Sequence, residues 1–335
     1  MYRNNDFIYD AVGRFEELTN IPVEILSNRD DYDALIIIND IQFAVFEKSE
    51  VRMTNIGVVL SQIEDARNDF SKPIILISKY IASEVALIFK NKGINYIDSA
   101  GNTSIHASKL VVYIAGQKNS KASKTSQNRA FQEVGIKLLY NILTKPQNLN
   151  LSYRRLSEQV GISIGSVSNV INELEELNFI LRTDNERILK NKEELLQRWI
   201  VAYNEVLRPR LLKKRMRFAN NSIKETWKTM FNTEESQESY FWGGEPAAAL
   251  KTNYLRPYNF TIYTDTNWKS FIKNYGLIPD DSGEIEILQL FWKPDAISGI
   301  TVSSLLIYTD LINSGDERNI ETAKMIFNND LQYIK

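Results

Sequence analysis

The chain has no cysteine and one histidine in 335 residues. Without cysteine it forms no disulfide and does no thiolate chemistry, which suits a reducing compartment, so a cytoplasmic location is expected. A metal centre built on clustered His and Cys ligands is excluded, and His106, alone in "SIHASK", reads as an ordinary surface side chain. No apolar run approaches the roughly 20 residues that a membrane-crossing helix requires. Met1 leads into polar "MYRNNDFIYD" rather than an apolar signal core, so neither leader nor span is expected. Nor does one sign of charge dominate. Lys and Arg total 40, Asp and Glu 42, and the net charge is -2. A global basic field is absent, and any nucleic-acid footprint has to be local. There is no internal repeat and no long low-complexity tract.

What is present divides into sections, and the expected fold class is α/β and α+β, multidomain. Residues 1–117 read as α-β-β-β-α-β-α-β-β, a mixed sheet with helices on its faces. A helix over Asp6 to Leu18 precedes a β-rich stretch in which Asn39-Asp40, between Ala34–Ile38 and Ile41–Phe46, predicts a hairpin turn. A helix from about Thr54 to Asn68 follows, then the strand "KPIILIS", the helix "ASEVALIFKNKG", the strand "INYID", and "KLVVYIAG" to complete the sheet. Residues 118–128, "KNSKASKTSQN", hold no large apolar residue and three lysines without an acid, the composition of an exposed linker. Residues 129–217 read as helix, helix, tight turn, helix, hairpin, the element order of a winged helix. Residues 218–335 alternate α and β elements and imply a small α/β domain.

In "LSYRRLSEQVGISIGSVSNVINELEELNFI", residues 151–180, Ser152 and Ser163 are placed to cap two helices and Gly161 to end the first. Val167, Val170, Ile171, Leu174 and Leu177 follow helical spacing and predict one buried stripe. Opposite fall Gly165, Ser168, Asn169 and Asn172, with Ser166 at the flank. Such a small, hydrogen-bonding face suits a helix that enters the major groove and reads base edges. Arg154 and Arg155 on the preceding helix, and Arg182 and Arg187 on the hairpin, are placed to meet phosphates. Glu173, Glu175 and Glu176 make the far end acidic, which crowds contacts into the first two turns. Arg208, Arg210, Lys213, Lys214, Arg215 and Arg217 follow with no acid between Glu205 and Glu225, a local basic footprint or else a solvated connector.

The first section has the element order of the PD-(D/E)XK nuclease core, a restriction-endonuclease-like fold. There an Asp opens one strand and an acid-x-Lys lies on the next, holding a divalent metal and polarising the attacking water. Asp33 and Lys48 fit the outer positions, but Phe46 stands where the second carboxylate belongs, and Glu47 points to the opposite face. Glu50, Glu16 or Glu17 would be displaced substitutes. The site reads as degenerate, with Asp33 and Lys48 as vestiges, no metal and no cofactor, and the chain as no enzyme. "NYIDSAGNTSI" places Asp98, Gly101 and Asn102 at a turn, where these residue types are ordinary. In "FWGGEPAAAL", a Gly-Gly bend opening a helix is a phosphate cradle in principle, but Glu245 opposes that reading and favours a helix-start turn. Nothing in the sequence brings Asp265 and Asp310 together as a metal pair.

Taken together, "YIDSAGNTSI", the stretch 151–180, "KEELLQRWIVAYNEVLRPRLL", "WGGEPAAALKTNYLRPYNFTIY" and "LLIYTDLINSGDERNIETAKMIF" make the chain resemble the AbiEi-type proteins. These are transcriptional regulators that act as antitoxins of type IV toxin-antitoxin systems. The resemblance implies a repressor that binds double-stranded operator DNA of its own operon. It also implies a C-terminal antitoxin-type domain that opposes a nucleotidyltransferase-like toxin, with a homodimer as a further expectation. The simplest members begin with the winged helix, whereas some 117 residues precede the linker in this chain. A metal-dependent nuclease targeted by its winged helix, and a protein-interaction scaffold without a DNA role, are the alternatives.

Overall fold

In the computed structural model, residues 6–26, 34–69, 72–118, 129–231, 240–294 and 299–335 are described. Asp33 and all of the expected linker except Lys118 lie outside them. The chain separates into two compact units, Met1–Ser126 and Gln127–Lys335.

The first unit begins with α1 (Asp6–Thr19) and β1 (Val23–Leu26), followed by the hairpin of β2 (Ala34–Ile38) and β3 (Ile41–Val51). Asn39 and Asp40 both take positive φ, 49° and 62°, the geometry that lets a two-residue loop follow the strands' own twist. Then come α2 (Ile56–Asp69), β4 (Ile74–Ile81), α3 (Ser83–Asn91), β5 (Asn95–Asp98), β6 (Thr103–Ala107) and β7 (Leu110–Ile114). The strands lie in chain order in one sheet, with β3, β4 and β5 parallel. Alternation along β4 sends Ile75 and Ile77 to a core with α1 residues Phe7, Ile8, Val12 and Phe15. Leu76 goes to the opposite core, with Val59 and Ile63 of α2 and Val85 and Phe89 of α3.

The sequence implied one strand fewer. The added one, β6, reads "TSIHA", and only Thr103 and Ile105 of it are buried. Its polar alternate residues conceal a strand that a continuous apolar run would have announced.

The second unit opens with α4 (Glu133–Thr144), α5 (Tyr153–Val160), α6 (Ile164–Glu176), β8 (Ile180–Arg182) and β9 (Arg187–Leu189). Helix α7 (Lys192–Ala202) passes through a π turn at Tyr203–Leu207 into α8 (Arg208–Leu211) and β10 (Leu212–Phe218). After these come α9 (Asn221–Glu225), β11 (Tyr240–Gly243), α10 (Gly244–Thr252), β12 (Phe260–Thr264), α11 (Lys269–Tyr275), β13 (Leu277–Pro279) and β14 (Ile285–Gln289). Helices α12 (Ser304–Ser314) and α13 (Glu317–Asp330) close the unit. The sheet runs β11-β12-β14-β10-β13, with β12 and β14 parallel.

Strand β10 therefore lies between β14 and β13, although its sequence reads as a basic connector ahead of the expected boundary at 217. Met216 and Phe218 are buried, while Lys213, Arg215 and Arg217 are exposed. The charged residues mask a period-two pattern. The α4–β9 segment and the sheet share an aromatic core. Tyr140 of α4 meets Trp199, Phe291 and Trp292 at ring centroid distances of 6.1, 5.0 and 5.6 Å. Its hydroxyl donates to Ser303 Oγ at 3.0 Å.

Candidate nucleic-acid interface

Helix α5 is capped as its sequence requires: Arg155 N donates to Ser152 Oγ at 3.3 Å, and Gly161 closes the helix with φ 74°. At the start of α6, Ser166 N donates to Ser163 Oγ at 3.1 Å, and the two hydroxyls lie 2.9 Å apart. Val167, Val170, Ile171 and Leu174 are buried, and Leu177 is half-buried just beyond the helix. On the outward side Gly165, Asn169 and Asn172 are exposed, and Ser166 and Ser168 are half-buried. A Cβ added at Gly165 would meet only Ser163 Oγ, at 3.9 Å. Internal packing does not demand a glycine there, so the bare backbone faces outward. Glu173, at the acidic end, turns in to accept from Ala130 N at 3.3 Å, and burial raises its carboxyl pKa.

The hairpin is tied down by side chains. Asn150 pairs with the backbone of Arg187, accepting from its N at 2.7 Å and donating to its O at 3.2 Å. Arg182 Nε donates to Glu175 Oε1 at 2.9 Å, and its Nη2 donates to Tyr153 Oη at 3.0 Å. The Arg187 guanidinium lies 5.0 Å from the centre of the Tyr153 ring and donates through Nη2 to Leu151 O at 2.6 Å. Arg154 pairs with Glu158 at 3.2 Å, and Arg155 is exposed. The structure thus brings Arg182 and Arg187 together at the start of α5. Sequence reading missed Tyr153 and Asn150, whose only signal is their place beside the Ser152 cap.

The basic run 208–217 is placed differently. Arg208 Nη2 meets Glu286 Oε2 at 2.7 Å, and its Nε meets Asp310 Oδ1 at 3.4 Å. Arg215, directly opposite Glu286 in the β10–β14 register, pairs with the same carboxylate. Arg210 meets Glu133 at 2.9 Å, Lys214 meets Asp281 at 2.9 Å, and Arg217 meets Asp280 at 3.4 Å. Lys213 is exposed. The absence of acids within the run carried no information, because its acids arrive from α4, α12, β14 and the loop before β14.

Around Arg208 a polar network is buried. Asp310 accepts from Tyr263 Oη at 3.2 Å and from Gly244 N at 3.2 Å, and Tyr263 Oη lies 2.6 Å from Tyr203 Oη. Burial raises the Asp310 carboxyl pKa against the pull of Arg208, and it raises both tyrosines. The Gly-Gly bend is therefore filled from inside. A Cβ at Gly243 would come within 2.5 Å of the Tyr263 ring and 3.1 Å of Asp310. Buried Glu245 accepts from Tyr258 N at 2.6 Å, Asn259 Nδ2 at 3.2 Å and Asn319 Nδ2 at 3.2 Å. Asp265 is exposed and makes no pair with Asp310 among the described residues.

In the first unit Lys48 lies in register with Ser78, and Ser78 with Asp98, across β3, β4 and β5. The Lys48 ammonium is 4.7 Å from the ring centre of Phe46. Asp98 accepts from Ala100 N at 3.0 Å, Asn102 N at 2.8 Å and Asn102 Nδ2 at 2.8 Å, while burial raises its pKa. Gly101, at φ 94°, packs so closely on α1 that a Cβ would lie 2.5 Å from Leu18. The "DSAGN" turn is thus a structural joint. Among the described residues no group of three or more His, Cys, Asp or Glu side chains is placed to hold a metal ion, and no helix is long and apolar enough to cross a membrane.

These features define a mixed α/β protein of two units, the second joining a helix-and-hairpin segment to a five-stranded sheet through a π turn. Residues 187–334 match the family described as transcriptional regulator, AbiEi antitoxin, type IV TA system. The match runs from β9 to the chain's last turn and does not extend over α4–α6 or the first unit. No curated protein and no solved structure matches the chain.

Proposed function

We propose that the protein is a sequence-specific DNA-binding transcriptional regulator of the AbiEi antitoxin type, acting in the cytoplasm. In this reading α4 to β9 form a winged helix-turn-helix and α6 reads the major groove. The observation that carries it is the outward face of α6: a capped N-terminus, a bare backbone at Gly165, and exposed Asn169 and Asn172 over a buried apolar stripe. The family match over residues 187–334 supports the regulatory and antitoxin role. The protein represses its own operon as a homodimer and opposes a nucleotidyltransferase-like toxin.

The test is a gel shift with duplex DNA from upstream of the protein's own gene. Retention that unrelated DNA in large excess does not abolish supports the reading, since specific binders prefer their site by about 10³-fold or more. Equal competition by both DNAs overturns it.

The first unit is read as a restriction-endonuclease-like domain that no longer cuts. With Phe46 in the place of a carboxylate, purified protein with Mg²⁺ or Mn²⁺ leaves DNA intact. Metal-dependent cleavage that disappears in Asp33→Ala and Lys48→Ala would establish the enzyme instead.

A further inference from the structure

Two arginines on different strands of the hairpin are held by one side chain, and the arrangement leaves donors to spare. Tyr153, the first residue of α5, receives Arg182 Nη2 on its hydroxyl and lies with its ring beneath the Arg187 guanidinium. Arg182 spends Nε and Nη2 on Glu175 and Tyr153, and among the described residues its Nη1 has no partner. Arg187 spends Nη2 on Leu151 O, and among the described residues its Nε and Nη1 have no hydrogen-bond partner. Asn150 fixes the Arg187 backbone to the segment before α5. The two guanidinium groups line one shallow depression with Tyr153, Asn150 and Asn185, and Asp184 and Glu186 stand on it too.

We infer that Tyr153 is a positioning residue that aligns Arg182 and Arg187 into a two-pronged seat for a single backbone phosphate of duplex DNA. The inference rests on the DNA-binding reading of α6 and goes beyond it by assigning the seat's organiser. Guanidinium groups with fixed planes suit phosphate oxygens through paired N–H bonds. With Asp184 and Glu186 on the depression and Glu175 paired with Arg182, three acids stand beside two cations, which leaves no net attraction for a free anion. It therefore grips a phosphate that groove binding by α6 has already delivered, and it acts on register more than on bulk affinity.

The experiment measures binding of the full-length protein to the upstream duplex across a salt series. It compares wild type, Tyr153→Phe, Tyr153→Ala, the double variant Arg182→Ala/Arg187→Ala, and the triple variant combining Tyr153→Ala with both. Tyr153→Ala should flatten the log–log salt slope by about 0.9, the loss of one phosphate contact. Tyr153→Phe, which keeps the ring under Arg187 but not the acceptor for Arg182, should fall between. Adding Tyr153→Ala to the double variant should change nothing further. Duplexes carrying one neutral methylphosphonate at each position in turn should reveal a single site that weakens wild type but not the double variant.

If the triple variant is weaker than the double, or the Tyr153→Phe slope equals wild type while no methylphosphonate distinguishes the proteins, the seat is overturned and the α6 reading stands. If wild type does not prefer the upstream duplex, the DNA reading fails and the seat with it. Tyr153→Phe and the methylphosphonate scan decide the matter even where Tyr153→Ala does not fold.

Discussion

Helix α6 and strand β10 both look like DNA contacts in the sequence, and the structure treats them oppositely. The α6 face is small, weakly polar and exposed, and its few hydrogen bonds are local caps. In the β10 region, including its α8 approach, five of the six cations have acids drawn from four other elements or loops. A run of like charge in sequence reports what a segment carries and not what the fold has already neutralised. Exposed hydrogen-bonding groups on a helix face survive folding because no neighbour on that side competes for them. The difference separates an open hydrogen-bonding face from a strand most of whose cations are already paired.

The comparison is sharpened most strongly at Asp310. Asp310→Ala takes one of its two carboxylate partners from the buried Arg208 guanidinium, leaves Gly244 N without its acceptor and leaves Tyr263 Oη with Tyr203 Oη as its remaining partner among the described residues. Loss of one partner of a buried pair typically destabilises by about 3–5 kcal/mol. Denaturant titration followed by tryptophan fluorescence should show that loss, and an unchanged midpoint would mean the network is dispensable. Next comes Asn169→Ala, which should lower affinity for the specific DNA by about 1–3 kcal/mol, spare non-specific binding and leave the thermal melt in place. Full discrimination in a well-folded Asn169→Ala protein would remove α6 as the reader.

Smaller is the effect of replacing Lys213, Lys214 and Arg215 together with Ala. Their ion pairs are partly exposed, so about 0–1 kcal/mol of stability should be lost. The salt slope of DNA binding should fall by no more than about 0.9, from Lys213 alone. A drop of about 2 or 3 would return β10 to the DNA interface.

The smallest effect concerns pH. Glu133, hydrogen-bonded by Lys137 and then Arg210, titrates below its ordinary value of 4.5. Its stabilisation is present above 4.5 and is lost as pH falls through the lower folded value. At 38 % side-chain exposure the effect is screened to a fraction of about 1 kcal/mol. Melts of wild type and Glu133→Gln should converge on acidification, and parallel curves would leave Glu133 without a role.

Much of the architecture is legible before any coordinates, because its signals are local. The Asn39-Asp40 hairpin, the Ser152 and Ser163 caps, the Gly161 stop and the α6 stripe each depend on a few adjacent residues. Strands β6 and β10 escaped because their outward residues are polar or charged, and β11 (Tyr240–Gly243) and β13 (Leu277–Pro279) because they are short. Of the candidate interface, the α6 face could be read by helical spacing alone. The Tyr153–Arg182–Arg187 arrangement could not, since it depends on a hairpin folding back over 29 and 34 residues of chain. The Arg208 network is further still from view: its acids lie 78 and 102 residues away.

The π turn at Tyr203–Leu207 fixes the angular phase of everything after it. Such a turn holds one residue more than an α turn, and one residue corresponds to about 100° of helical rotation. Arg208, the first residue beyond, meets Glu286 and Asp310 with that offset included. Buried Asn204 lies within the turn, and among the described residues neither its side-chain oxygen nor its side-chain nitrogen has a hydrogen-bond partner. Between the helical segment and the sheet, length is therefore a coded quantity. Deleting one residue here would leave composition almost untouched yet swing Arg208 away from both acids, whereas the same deletion in an exposed loop would be absorbed.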